Sequence, residues 1–137
     1  MKTTLITGCS SGFGMLTAIR LASSGYSVFA TMRNLEKKEN LLKEINNSGL
    51  QIELIELDVT RNETIIEALD TIKSKTGRLD YLINNAGYGL GGFFEDISEY
   101  ELRRQARAVI IRIFVGAVSL QIYYSLQIYC RCSKFTN

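Results

Sequence analysis

The chain has neither histidine nor proline among its 137 residues. Without histidine there is no Ser-His or Cys-His pair to activate a nucleophile, and no imidazole to hold a metal. Proline at the usual ~5% would occur several times in this length. Proline-free runs of strand and helix are ordinary, but a whole domain without one is less so. Charge of one sign is lacking too: 16 Lys and Arg against 14 Asp and Glu leave +2, scattered along the chain. Nucleic-acid binding is not indicated by that balance. No sustained apolar run precedes Gly8, so the start does not read as a signal peptide. The three cysteines are Cys9, Cys130 and Cys132. Such thiols point to a reducing compartment, and a cytoplasmic location is expected. Cys130-Arg131-Cys132 lacks the two further ligands of a metal clip, so no metal site is expected. The length allows one domain at most, able to bury about two-thirds of its unfolded surface.

What is present is concentrated in residues 3 to 14, Thr-Thr-Leu-Ile-Thr-Gly-Cys-Ser-Ser-Gly-Phe-Gly. A short apolar strand runs into Gly8, Gly12 and Gly14 and then into a helical pattern. Glycines let backbone approach a pyrophosphate, and the following helix aims its free N–H groups and positive dipole end at the negative charge. The glycine spacing alone would arise by chance in about one chain of this length in twenty. Its place between a strand and a helix makes it far more specific. The plain alternative is a turn that needs glycine for packing.

The chain then alternates strand and helix up to about residue 84. Strands are expected at Leu5–Thr7, Ser27–Met32, Gln51–Leu57 and Tyr81–Asn84. Helices are expected at Phe13–Ser24, stopped by Gly25, at Leu35–Asn47, closed by Gly49, and from Thr60 to Gly77. Thr60-Arg61-Asn62-Glu63 reads as a capping box, as does Ser98-Glu99-Tyr100-Glu101 at the start of a further helix. Strands alternating with helices of ten to fifteen residues imply parallel β-α-β units with right-handed crossovers. The expected fold is therefore α/β, half of a doubly wound parallel sheet in order 3-2-1-4, with the ligand crevice between its first and fourth strands.

Three motifs in this order resemble the short-chain dehydrogenase/reductase family: Thr7-Gly8-Cys9-Ser10-Ser11-Gly12-Phe13-Gly14, Leu57-Asp58-Val59-Thr60 and Asn84-Asn85-Ala86-Gly87. Gly91-Gly92-Phe93-Phe94-Glu95-Asp96 resembles its hydroxysteroid and retinol dehydrogenase-like branch. The resemblance covers residues 3 to about 105, with an echo at Val115–Ser119, and implies a Rossmann-type fold that binds a nicotinamide dinucleotide. It implies that Gly8, Gly12 and Gly14 shape the pyrophosphate turn while Ser10 and Ser11 reach phosphate and ribose. Phe13 and Val59 lie within the motifs and count with the site. Asp58 corresponds to the adenine-contacting aspartate, or is an ordinary acidic residue before a helix. Asn84, Ala86 and Gly87 are expected along the nicotinamide-side ribose, with Asn84 also bracing the sheet. Arg33 stands where an acidic residue would hold an unphosphorylated ribose. An arginine there can accept a 2′-phosphate through its planar fork, which favours NADP over NAD; a solvated strand-end arginine is the alternative.

The family's chemistry is hydride transfer between nicotinamide and an alcohol or carbonyl carbon, with a tyrosine managing the proton beside a lysine four residues on. None of the seven tyrosines here has that lysine: Tyr100 is followed by Arg104 and Tyr129 by Ser133. The asparagine expected three before Gly116 is Ile113, and the fifth strand with its serine has no counterpart. No catalytic residue is assigned. Residues 106–137 read as an atypical apolar tail, expected to be a buried helix rather than a membrane span, in place of the catalytic half. Ser-Leu-Gln-Ile-Tyr occurs in it twice, at 119–123 and 125–129. That oddity suggests an oxidoreductase cut short, with a frame change around residues 106 to 130. A non-catalytic nucleotide-binding module and an interaction protein reusing the fold stay open. Self-association through the exposed fourth strand or the tail is expected.

Overall fold

The structure, a computed structural model, describes residues 1–88 and 94–106. Its elements alternate as β1 (Thr3–Ile6), α1 (Gly12–Ser23), β2 (Ser27–Met32), α2 (Glu39–Ser48), β3 (Ile52–Glu56), α3 (Asn62–Thr76), β4 (Tyr81–Ile83) and α4 (Glu99–Ala106). The strands form one parallel sheet in the order β3-β2-β1-β4, the α/β doubly wound order expected from the sequence. Register places Leu5 of β1 between Phe29 of β2 and Leu82 of β4.

Helices cover both faces, so the central strands are buried on both sides rather than alternately exposed. Side chains of successive strand residues point to opposite faces. On one face Ile6, Val28, Ala30 and Met32 pack with Ala18 of α1 and with Leu41 and Ile45 of α2. On the other, Leu5 and Phe29 meet Ile72 of α3 and Leu79. Threonines fill the remaining inward positions of β1 and β2. Thr31, fully buried, donates its hydroxyl to the Ile6 carbonyl at 3.1 Å, so that polar group is satisfied within the core.

Element ends follow local chemistry, with two corrections. The helix expected over Leu35–Asn47 is a 3-10 turn, Leu35–Lys38, followed by α2. The Asn34 side chain holds that turn by accepting the Glu36 amide at 2.8 Å. The capping box expected at Thr60 does not form, and α3 begins two residues later. Thr60 instead donates its amide and hydroxyl to Asp58 Oδ1, at 2.9 and 2.7 Å. Thr64 closes the turn by accepting the Asp58 amide at 3.1 Å. The box at Ser98 does form: Glu101 donates its amide to Ser98 Oγ at 3.3 Å and its carboxylate accepts the Ser98 amide at 3.0 Å. The Ser98 hydroxyl, donating to the same carboxylate at 2.6 Å, and then the Ser98 amide hold the exposed Glu101 carboxyl below its ordinary pKa. α1, α2 and α3 end against Gly25, Gly49 and Gly77, as expected.

The apolar tail beyond Ala106 and its repeat lie outside the described residues. Among the described residues, no helix is long and apolar enough to cross a membrane, and β4 pairs on one side only, with β1.

Candidate functional site

The carboxyl ends of the four strands open into a cleft of about 1190 Å³. Its floor is built strand by strand. The loop after β1 gives Gly8, Ser10, Ser11 and Phe13, and the end of β2 gives Met32 and Arg33. The end of β3 gives Leu57, Asp58, Val59 and Thr60, and the loop after β4 gives Asn85, Ala86, Gly87 and Tyr88. α4 adds Tyr100, Arg103, Arg104 and Ala106.

Two loops at the centre are locked together without tolerance for bulk. Thr7 donates its amide to the Ile83 carbonyl at 3.0 Å. Its hydroxyl oxygen accepts the amides of Asn85 and Ala86, both at 3.0 Å. The Asn85 side-chain amide returns two bonds, to the carbonyls of Thr7 and Gly8, each 3.0 Å. Gly8 has φ +74°, and a Cβ there would lie 2.6 Å from Ala86 Cα. A Cβ on Gly14 would lie 2.3 Å from the Gly8 carbonyl oxygen and 2.4 Å from Asn85 Nδ2. Both positions therefore require glycine to bring α1 and the loop after β4 against the first turn. Cys9 belongs to this packing, not to the cleft. It is fully buried, its amide donates to Thr31 at 2.8 Å, and burial pushes its thiol up to about 11.

Electrostatics at the start of α1 suit an anion. Ser11, the residue before the helix, makes no side-chain cap, and the first turn carries no acidic residue. The first turns of α2, α3 and α4 each contain glutamate. Nothing lies within 4 Å of the space where Gly12 would carry a Cβ. The first N–H groups of α1 and its positive dipole end thus face an open approach. On the flanks, Arg33 is exposed and forms no ion pair among the described residues.

Of the residues singled out in the sequence, Gly8, Ser10, Ser11, Phe13, Arg33, Asp58, Val59, Ala86 and Gly87 line this cleft. Gly12 and Gly14 shape the loop and helix start behind it. Asn84 is exposed and outside the lining, and the brace expected of it is made by Asn85. Sequence reasoning also passed over Thr7, Tyr88 and the α4 residues. Thr7 and Asn85 stood inside the recognised motifs. Nothing local in the α4 sequence announces that its side chains will reach the cleft.

A parallel sheet of this order, with a glycine-rich strand–helix turn at its switch point, defines the dinucleotide-fold class of α/β proteins. Within that class the sequence is specific. The model of the short chain dehydrogenase family matches residues 2–120, and the chain belongs to that family. The match runs past residue 105 and includes the echo at 115–119. Retinol dehydrogenase 8 of Homo sapiens is 39% identical over 123 residues, 87% of this chain and 37% of that protein. The 3-ketodihydrosphingosine reductase of Bacteroides thetaiotaomicron is 41% identical over 101 residues, 74% of this chain and 34% of that one. A solved short chain dehydrogenase from Bacillus anthracis superposes with a TM-score of 0.83 at 32% identity, covering 92% of this chain and 52% of the other. The chain thus spans little more than a third of these curated relatives and about half of the solved one.

Proposed function

We propose that these 137 residues are the NADP-binding half of an oxidoreductase acting on alcohol or carbonyl groups, and that by themselves they hold the cofactor without turning substrate over. The observation that carries this reading is the turn between β1 and α1. Gly8 is pressed against Ala86, the space beside Gly12 is open, and the helix start behind it is uncapped and free of carboxylates. That cradle fits a pyrophosphate. Ser10 and Ser11 reach phosphate and ribose, Asp58 and Val59 flank the adenine, and Ala86 and Gly87 line the nicotinamide-side ribose. Arg33 receives the 2′-phosphate, which favours NADP over NAD. When bound, the nicotinamide supplies or takes the hydride. The residues of this chain bind and orient it, but no tyrosine has a lysine four positions on to manage the proton. The cysteine usage, with Cys9 buried and unpaired, favours a cytoplasmic setting. Chains are proposed to associate through the side of β4 that has no partner strand among the described residues, or through residues 106–137.

The test is NADPH oxidation against a panel of aldehydes, ketones and quinones, after light scattering has measured the mass of the purified species. Expected are NADPH binding, a mass above that of one chain, and turnover at least about 10²–10⁴-fold below that of an enzyme with its general acid. Robust turnover abolished by mutating Tyr123, Tyr124 or Tyr129 would show that residues 106–137 supply the acid, and a monomer would remove the association.

A further inference from the structure

The cleft carries three arginines besides its one carboxylate, Asp58. Arg103 is committed to Glu99, which accepts its Nε and Nη2 at 2.9 and 2.6 Å. Arg33 and Arg104 have no carboxylate partner among the described residues. Arg104 is held in another way. Its guanidinium carbon stands 5.9 Å from the ring centre of Tyr88, in the loop after β4. A guanidinium over an aromatic face keeps its N–H edge available, because the ring engages only the flat side. Arg104 stays charged at any ordinary pH.

Strand order separates Arg33 from the Tyr88–Arg104 pair. Arg33 lies beyond β2 and Tyr88 beyond β4, with β1 between them. Ala86, two residues before Tyr88, packs against Gly8, and the Cys9 amide bonds Thr31 at the end of β2, so the loop carrying Tyr88 borders the Gly8–Gly12 turn on its β4 side and Arg33 follows on its β2 side. A ligand spanning the cleft meets one cation at its adenosine end and another on the far side of the turn. We infer that Arg104, presented by α4 and steadied on Tyr88, is a second cofactor-binding cation, which closes on the dinucleotide's pyrophosphate from the side opposite Arg33. This rests on the dinucleotide reading above. It assigns to α4 a part in binding that the three motifs do not contain.

The two arginines then differ in what they discriminate. The pyrophosphate is common to NADPH and NADH, whereas the 2′-phosphate is not. Fluorescence titration of both cofactors into the full chain separates the roles. Arg104→Gln is expected to weaken NADPH and NADH by the same factor, about tenfold or more for a lost charge-assisted contact. Their ratio should stay as in the unmutated chain. ADP-ribose, which keeps the pyrophosphate, should lose affinity equally, and AMP should not. Arg104→Lys should recover part of the loss. Tyr88→Leu should fall toward Arg104→Gln, and Tyr88→Phe, which keeps the ring, should recover most of that loss. Circular dichroism melts identify any variant weakened by unfolding, and Arg104→Lys and Tyr88→Phe then decide. A change of less than twofold in Arg104→Gln, with the parent binding both cofactors, overturns the inference alone. So does a loss confined to NADPH, which would make Arg104 a reader of the 2′-phosphate. Failure of the parent to bind either cofactor overturns the dinucleotide reading and this inference with it.

Discussion

Cys9 occupies a position in the glycine loop that invites a reactive reading, and its surroundings argue the reverse. The side chain is fully buried, with Sγ 3.4 Å from the Ile6 carbonyl oxygen, and burial raises the thiol from its ordinary 9.0 to about 11. A thiol rather than a thiolate is a poor nucleophile. The same shift fixes the sign of a stability effect. Below pH 9 the thiol is protonated folded or unfolded, and the contribution is fully present. Between pH 9 and about 11 the unfolded chain ionises Cys9 while the folded one does not, so stability falls as pH rises. The loss reaches about 2–3 kcal/mol near pH 11. Urea unfolding at pH 8 and pH 10 should show a steeper decline for the parent than for Cys9→Ala. Parallel declines would mean that the thiol titrates normally in the fold.

At the scale of elements, the loops after β1 and β4 act as one unit because Asn85 and Thr7 cross-link them. Asn85→Ala removes both side-chain bonds and leaves the Thr7 and Gly8 carbonyls short of partners. A cost of about 2–3 kcal/mol is expected, read as a lower urea midpoint with an unchanged slope. A change below about 0.5 kcal/mol would show that water replaces the amide without penalty. The sequence could place this unit but not resolve it. Adjacent Asn84 and Asn85 are chemically identical, and only the direction of the chain leaving β4 decides which one turns back toward β1. Thr60 carries a similar lesson. Its spacing to Glu63 suits a capping box, but Asp58 lies two residues upstream and captures both Thr60 donors first. Asp96 stands at the same spacing before Ser98, yet there the amide and hydroxyl go to Glu101 and the box forms, so spacing alone does not decide the outcome. Hydrophobic periodicity made the four strands and their order legible. The reach of α4 over the cleft was not, because it is set by tertiary placement rather than by any local pattern.

At the scale of the whole molecule, the sheet brings three short motifs, far apart in sequence, to one end of four parallel strands. A glycine turn, an uncapped helix start and two arginines without a carboxylate partner among the described residues converge there, while the remaining described charges are dispersed or paired. Lys75 pairs with Glu53, and Arg78 with Asp80. On the function proposed above, this end binds a nicotinamide dinucleotide and Arg33 reads its 2′-phosphate. Calorimetric titration of NADPH and NADH into the parent chain and Arg33→Ala tests it most directly. Tighter binding of NADPH by the parent is expected, with a gap narrowed in Arg33→Ala by about 1.5–3 kcal/mol, the worth of a charge-assisted contact. Equal affinities in the parent, or a gap that survives Arg33→Ala intact, would contradict it.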